Sequence, residues 1–269
     1  MNNQSREPYQ VQTPEPPSTS QRPDTSQQFL WTWRDLILIA GMSFALLFLG
    51  IILSSALVPN FNPQHPEIAL DTVSFAINSF IVEFLALVGS VYFLGLRRKK
   101  LNWPAFGLQP LSTIWLGIAC GLGVIEYLLE TGVSYGVQYL LKLPDNTQTQ
   151  GMATQGLTGV NLVVLVALAG LAIPFAEELL FRGVIYTFIR ERWGIWIGVI
   201  ASALFYALIS SFNDLVAGSA AFVLGLVTAF VYERSKSLWA AVTVHIFSSM
   251  ISLIVFYVLT LPGMHIPIS

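Results

Sequence analysis

Seven long apolar segments constrain the fold of this chain more than any other feature. They cover approximately residues 36–58, 72–96, 112–141, 161–189, 194–211, 217–232 and 238–261. A helix of about 20 apolar residues crosses a bilayer with its backbone hydrogen bonds satisfied internally. Charged residues make up only 10% of the chain, against about 25% in soluble domains. The sequence therefore predicts an all-α, polytopic transmembrane helix bundle of about seven spans, or eight if the third segment is two elements.

The polar stretches divide the chain into four regions. Residues 1–30 are rich in Pro, Gln, Ser and Thr, a composition that predicts a disordered tail. Residues 31–157 hold the N-terminal transmembrane helices, 158–262 form a second group that we treat as the core, and 263–269 are a short tail. Trp31 and Trp33 precede the first span, where tryptophan typically anchors a helix at the membrane interface.

Basic residues predict the orientation of the spans. They fall at alternate ends of successive spans, at Arg34, 97–100, 190–192 and 234–236. Because cytoplasmic loops carry the excess of Lys and Arg, we expect a cytoplasmic N-terminus in an integral protein of a bacterial plasma membrane. The lipid bilayer is thus one partner, and a net charge of −2 does not suggest nucleic acid as another.

Two pairs of glycines on the third segment have the spacing that lets helices pack closely in lipid. They are Gly117 with Gly121, and Gly132 with Gly136. We expect them to pack inside one bundle rather than to form a dimer face, and the sequence does not determine the oligomeric state.

Charged side chains within the fourth segment point to function. Glu177, Glu178 and Arg182 lie in an apolar stretch, where each charge costs roughly 2.5–3.5 kcal/mol and marks a functional site by default. On a helix, Glu178 and Arg182 share one face and can pair, whereas Glu177 is rotated by about 100°. Glu177 is then left without an internal partner, as suits a general base. The alternative is a structural Glu–Arg pair with no chemistry.

Further polar residues occur in other spans. His245, on the last span, is expected to partner the carboxylates, and Ser249 lies one turn beyond it. Three more acids are mid-span: Glu83, Glu126 and Glu130. They could line the same cavity, carry protons, or be protonated carboxyls hydrogen-bonded between helices.

Several blocks together resemble a known family. The blocks are Glu177-Glu178-x-x-x-Arg182, a Ser-Ala-Leu-x-aromatic span from residue 202, Ala-Phe-Val-Leu-Gly-Leu from residue 221, and Ser-Leu-Trp-Ala-Ala-x-x-x-His ending at residue 245. Over about residues 160–255 the chain resembles the CAAX prenyl endopeptidase and bacteriocin-processing (Abi) family of intramembrane proteases.

The resemblance implies roles for named residues. Glu177 would activate water, Glu178, Arg182 and His245 would complete the catalytic set, and Tyr206, Ser210 and Ser249 would support it or bind substrate. Three positions depart from the family pattern: Tyr206 stands where Phe is usual, Ser210 stands where the family has His, and Ser249 stands where Asn is usual.

These departures bear on the chemistry. In the family, two histidines and a glutamate face one cavity and either ligate a metal or hold a water. A catalytic zinc usually has three protein ligands, and Ser210 is a poor ligand, so a divalent metal such as zinc is a less favoured cofactor here.

The function expected from these residues is hydrolysis of a peptide bond in a membrane-associated peptide or prenylated-protein substrate by glutamate-activated water. The alternative is a weakened or inactive relative that acts as a membrane binding or scaffold protein. A small transporter using the other buried acids ranks last, because the chain lacks matching repeat halves.

Overall fold

The structure is a computed structural model that describes residues 29–57, 73–143, 159–211 and 214–260. The predicted tails at 1–30 (except residues 29 and 30) and 263–269 lie outside the described residues. Within the described ranges every regular element is helical. The predicted all-α architecture is confirmed.

The described residues form seven helices in series. They are α1 (Trp33–Leu57), α2 (Val73–Arg97), α3 (Thr113–Leu141), α4 (159–193), α5 (Ile195–Ser210), α6 (Leu215–Ser235) and α7 (Leu238–Thr260). All but α5 are long and apolar enough to cross a membrane, and α5 is apolar but shorter. The third segment is one helix, so the described chain gives no support to an eighth span.

Helix α4 is interrupted twice by wider π-helical turns. One covers Leu168–Ala172 and the other Phe181–Tyr186, and the α-helical stretch Ile173–Leu180 lies between them. Pro174 opens that stretch, at a position where a missing backbone N–H is tolerated. π-turns inside α-helices occur frequently at functional sites, and here they flank Glu177 and Glu178.

The core group of helices packs around α4. Helix α6 lies against α5 and α3, α7 lies against α3 and α4, and α2 covers α4 and contacts α1. Asp214 begins α6, since its carboxylate accepts hydrogen bonds from the backbone N–H groups of Val216 and Ala217 at 2.9 and 3.0 Å. Such a cap stabilises a helix by about 1 kcal/mol.

The prediction that the two glycine pairs of α3 pack against other helices inside the bundle is wrong. Apart from the adjacent residues and the backbone of α3 itself, no described atom lies within 4 Å of the place where a Cβ would stand at Gly117, Gly121, Gly132 or Gly136. The close contact comes from Gly123, on another face of α3, against Val244 and Phe247 of α7. The spacing of the glycines did not reveal which face of α3 turns inward.

The starts and ends of α1, α2 and α4 meet at one end of the bundle. Asp35 pairs with Arg98 and with Lys99, whose Nζ lies 2.7 Å from Oδ2. Trp31 is fully buried and donates its indole N–H to the carbonyl of Gly183 at 3.0 Å. Trp31 is therefore a core residue, and the prediction of an interface anchor is wrong for it, whereas Trp33 is exposed.

The basic ends of α4 and α6 meet in a second group of charges. Glu233 accepts a hydrogen bond from Arg190 at 3.1 Å and one from Lys236 at 2.5 Å. Arg192 donates to the carbonyl of Trp31 at 2.6 Å, which links this group to the first. Basic residues that alternate along the sequence thus gather at one end of the molecule, while its orientation in the membrane stays a prediction.

Candidate active site

The site is built on the short α-helical stretch of α4 between its two π-turns. Glu178 and Arg182 are fully buried, and 8% of the surface of Glu177 is exposed. Charges in such surroundings require partners, because the desolvation of an unpaired ion costs several kcal/mol.

The predicted pair of Glu178 and Arg182 is confirmed. The Nε atom of Arg182 lies 3.1 Å from Oε2 of Glu178. A second nitrogen of the same guanidinium donates to the carbonyl of Gly225 at 3.1 Å and to the hydroxyl of Thr228. Arg182 therefore fixes Glu178 and ties α4 to α6.

His245 bridges the two glutamates. Its Nδ1 lies 3.0 Å from Oε1 of Glu178, and its Nε2 lies 3.6 Å from Oε2 of Glu177. A carboxylate can only accept, so we assign the proton to Nδ1 and leave Nε2 facing Glu177. The expectation that His245 partners the carboxylates is confirmed.

Tyr206 supplies the partner that Glu177 was predicted to lack. Its hydroxyl donates to Oε2 of Glu177 at 3.0 Å. The ring packs edge-on against Phe181, with centroids 4.9 Å apart, and lies 5.1 Å from the guanidinium carbon of Arg182. The sequence contained one signal for this contact, a hydroxyl at a position where the family has Phe.

Two predicted site residues lie apart from this group. Ser210 is exposed at the last residue of α5, one turn beyond Tyr206, and Ser249 is half-buried on α7. No described contact joins either serine to Glu177 or His245. Ser249 instead lines a neighbouring cavity together with Glu130.

The remaining buried acids surround the site. Glu83 of α2 lies close enough to Glu177 for their charges to interact. Glu126 of α3 lies similarly close to Glu178. The side chain of Glu126 is fully buried, and neither of its oxygens has a hydrogen-bond partner of ordinary geometry. Ser248 of α7 faces the Glu126 carboxyl without the geometry of an ordinary hydrogen bond, so hydrogen bonding between helices stays a prediction for Glu126.

The arrangement does not fit a bound metal ion. Among the described residues, no group of three or more His, Cys, Asp or Glu side chains has a geometry that could hold one. Glu178 is already shared between Arg182 and Nδ1 of His245. We therefore derive no step through zinc or another divalent metal.

The residues of this site lie within a segment that matches a known protein family. Residues 159–251 match the family described as "Type II CAAX prenyl endopeptidase Rce1-like". This segment is similar to that family, as the resemblance predicted. It spans α4 to α7 up to residue 251 and so includes the whole described site: Glu177, Glu178, Arg182, Tyr206 and His245.

Part of the chain is also similar to a protein of Escherichia coli. An "Uncharacterized 24.3 kDa protein" of Escherichia coli is 34% identical over 84 residues, which are 30% of this chain and 39% of the relative. The matched part thus spans about two fifths of the length of that relative. No solved structure matches the chain.

Proposed function

We propose that the protein is an intramembrane endopeptidase of the CAAX type, which hydrolyses a peptide bond of a membrane-associated substrate. One observation carries the proposal: within the Rce1-like segment, His245 is held by Glu178 and points Nε2 at Glu177 across 3.6 Å. That gap is wider than a hydrogen bond, so both groups can hydrogen-bond to one water or substrate oxygen that lies beside the pair.

Glu177 is the general base of the proposed reaction. Its carboxylate takes a proton from water while the water oxygen bonds to the carbonyl carbon of the substrate. The C–N bond then breaks, and the same proton passes from Glu177 to the leaving amine. Protons and bonds balance without a further reactant.

His245 stabilises the oxyanion that forms in this step. When the ring takes up a second proton, on Nε2, that nitrogen donates to the substrate oxygen, and the paired Glu178 offsets the positive charge of the ring. Preorganised donors of this kind commonly account for a factor of 10²–10³ in rate. Arg182 holds Glu178 in place, and the hydroxyl of Tyr206 orients Glu177.

A second candidate is a membrane scaffold that retains the fold without chemistry. The contacts of Arg182 with Glu178, Gly225 and Thr228 favour it, because they join α4 to α6 whether or not a substrate is cleaved. Residue 210, where the family has His, is a serine that stands apart from the site. The site therefore lacks the family's second histidine.

The test is cleavage by the purified full-length protein in liposomes. Membrane-embedded peptides, with and without a prenylated C-terminus, are incubated with wild type, and new termini are identified by mass spectrometry. We expect Glu177→Gln to lower the cleavage rate at least about 100-fold, because it removes the base but keeps the shape. Glu191→Gln, the same change at the basic end of the bundle, is the matched control.

Absence of cleavage by wild type with every peptide would favour the scaffold. Equal rates for wild type and Glu177→Gln would remove Glu177 from the mechanism.

A further inference from the structure

A cavity lined by both polar and apolar side chains lies beside the proposed active site and is not used by the mechanism. Its volume is about 290 Å³. Its walls include Phe80 of α2, Glu130 of α3, Leu224 of α6, and three serines of α7, Ser248, Ser249 and Ser252.

The last helix connects this cavity to the catalytic histidine. Residues 248, 249 and 252 stand three, four and seven positions after residue 245, so the four form one stripe along α7. His245 occupies one end of the stripe, and the three serines continue it into the cavity wall. One turn of helix, about 5.4 Å, separates His245 from Ser249.

Helices α2 and α6 also contribute residues both to the active site and to the cavity. Glu83 interacts with Glu177, and Phe80, three residues earlier on α2, lines the cavity. On α6, Leu224 lines the cavity, and the next carbonyl, that of Gly225, is bound by Arg182. The cavity and the site are thus adjacent on three independent helices.

Two acidic side chains lie at or beside the cavity, Glu130 in its wall and Glu126 nearby, and among the described residues no Lys or Arg forms an ion pair with either. Ser248 faces the carboxyl groups of both Glu126 and Glu130. Glu126 is fully buried, and both of its oxygens are without a hydrogen-bond partner of ordinary geometry. Arg182 is the one described guanidinium of this region, and Glu178 already engages it.

We propose that this cavity binds the ammonium or guanidinium side chain of a basic residue in the substrate peptide. The inference rests on the proposed endopeptidase function. Glu130 and Glu126 attract the cation, the serine hydroxyls accept its N–H groups, and Phe80 contacts the aliphatic stem. An extended peptide advances about 3.3 Å per residue, so the basic residue lies one or two positions from the cleaved bond.

The experiment measures binding separately from cleavage. Full-length protein with Glu177→Gln is kept in dodecyl maltoside, a detergent that carries no amine. Fluorescent hydrophobic peptides that differ only in Lys, Arg, Gln or norleucine at each position near the centre are titrated, and fluorescence polarisation gives each Kd. We expect Lys and Arg peptides to bind at least about tenfold more tightly than norleucine at one position.

Two further variants assign that preference to the cavity. Glu130→Gln should reduce the Lys-to-norleucine ratio at least about fivefold, and Glu191→Gln, the matched control, should not. Ser252→Leu fills the cavity and should remove the preference even if Glu130→Gln folds poorly. Size-exclusion chromatography checks that each variant is intact.

The outcomes separate the two proposals. Equal affinity for Lys and norleucine peptides at all positions, or an undiminished preference in both cavity variants, overturns the cavity inference. If the cavity inference is overturned but wild type still cleaves norleucine peptides, the endopeptidase proposal remains supported without it. A cavity-dependent preference without cleavage of any peptide by wild type keeps a basic-peptide site and overturns the proposed activity.

Discussion

Glu177 and Glu178 are neighbours in sequence but differ in their surroundings. Glu178 has a cation on one side and the ring of His245 on the other. Glu177 accepts a hydrogen bond from the hydroxyl of Tyr206 and faces Nε2 of the same ring, and 8% of its surface is exposed. Two carboxyls with separate partners can take separate roles, one structural and one chemical.

The first residue-scale prediction concerns the hydroxyl of Tyr206. Tyr206→Phe keeps the ring against Phe181 but removes the hydrogen bond that orients Glu177. Because a hydrogen bond to a charged group is worth about 1.5–3 kcal/mol, we expect kcat/KM to fall about 10- to 100-fold in the liposome assay.

The matched control for this change is Tyr186→Phe, which removes a hydroxyl bonded to Glu233 at 2.8 Å, away from the site. If the two variants lose the same activity, the Tyr206 hydroxyl has no special role.

The second prediction concerns residue 210. Ser210 is exposed at the end of α5 with no described contact to Glu177 or His245. Restoring the family's residue by Ser210→His is expected to change the cleavage rate less than about threefold, since single surface changes rarely alter a structure. A tenfold gain in the same assay would place residue 210 within the working site.

At the scale of elements, the close packing of α5 on α6 helps to position the guanidinium of Arg182 in the site. A Cβ at Gly225 would stand 2.8 Å from Cα and 2.9 Å from Cβ of Ala203. The absence of that Cβ lets the two backbones approach. The carbonyl of Gly225 then accepts from Arg182.

This packing predicts the effect of two glycine substitutions on the same helix. Gly225→Ala forces α5 and α6 apart and should destabilise the protein by about 1–3 kcal/mol. At Gly218 the nearest atom to an added Cβ is 3.6 Å away, so Gly218→Ala should be neutral or stabilise by up to about 1 kcal/mol. Thermal unfolding in detergent compares them, and a melting temperature for Gly225→Ala at or above that of Gly218→Ala would contradict the packing argument.

At the scale of the whole molecule, the charges of one end hold four helices together. Asp35 joins α1 to α2, Arg192 joins α4 to the residues before α1, and Glu233 joins α6 to α4. The positive-inside rule assigns this end to the cytoplasm.

That orientation predicts which cysteines a membrane-impermeant maleimide can reach. In a Cys120→Ser background, Lys100→Cys should react in inverted vesicles and Lys142→Cys in spheroplasts, because α3 carries Lys142 to the other end. The reverse pattern would show that the N-terminus faces outward.

The sequence by itself determined the helical class, the approximate limits of the spans, the Glu178–Arg182 pair and the contact of His245 with the glutamates. Long apolar runs and a separation of four residues depend on helix geometry alone, and this geometry is the same in any helix. Only the tertiary structure decided that Tyr206 reaches Glu177, that Ser210 stands apart, and that Gly123 rather than the paired glycines packs inward. These outcomes depend on the rotation of each helix against its neighbours. Packing between helices and the π-turns of α4 set that rotation, and no periodicity within one segment encodes it.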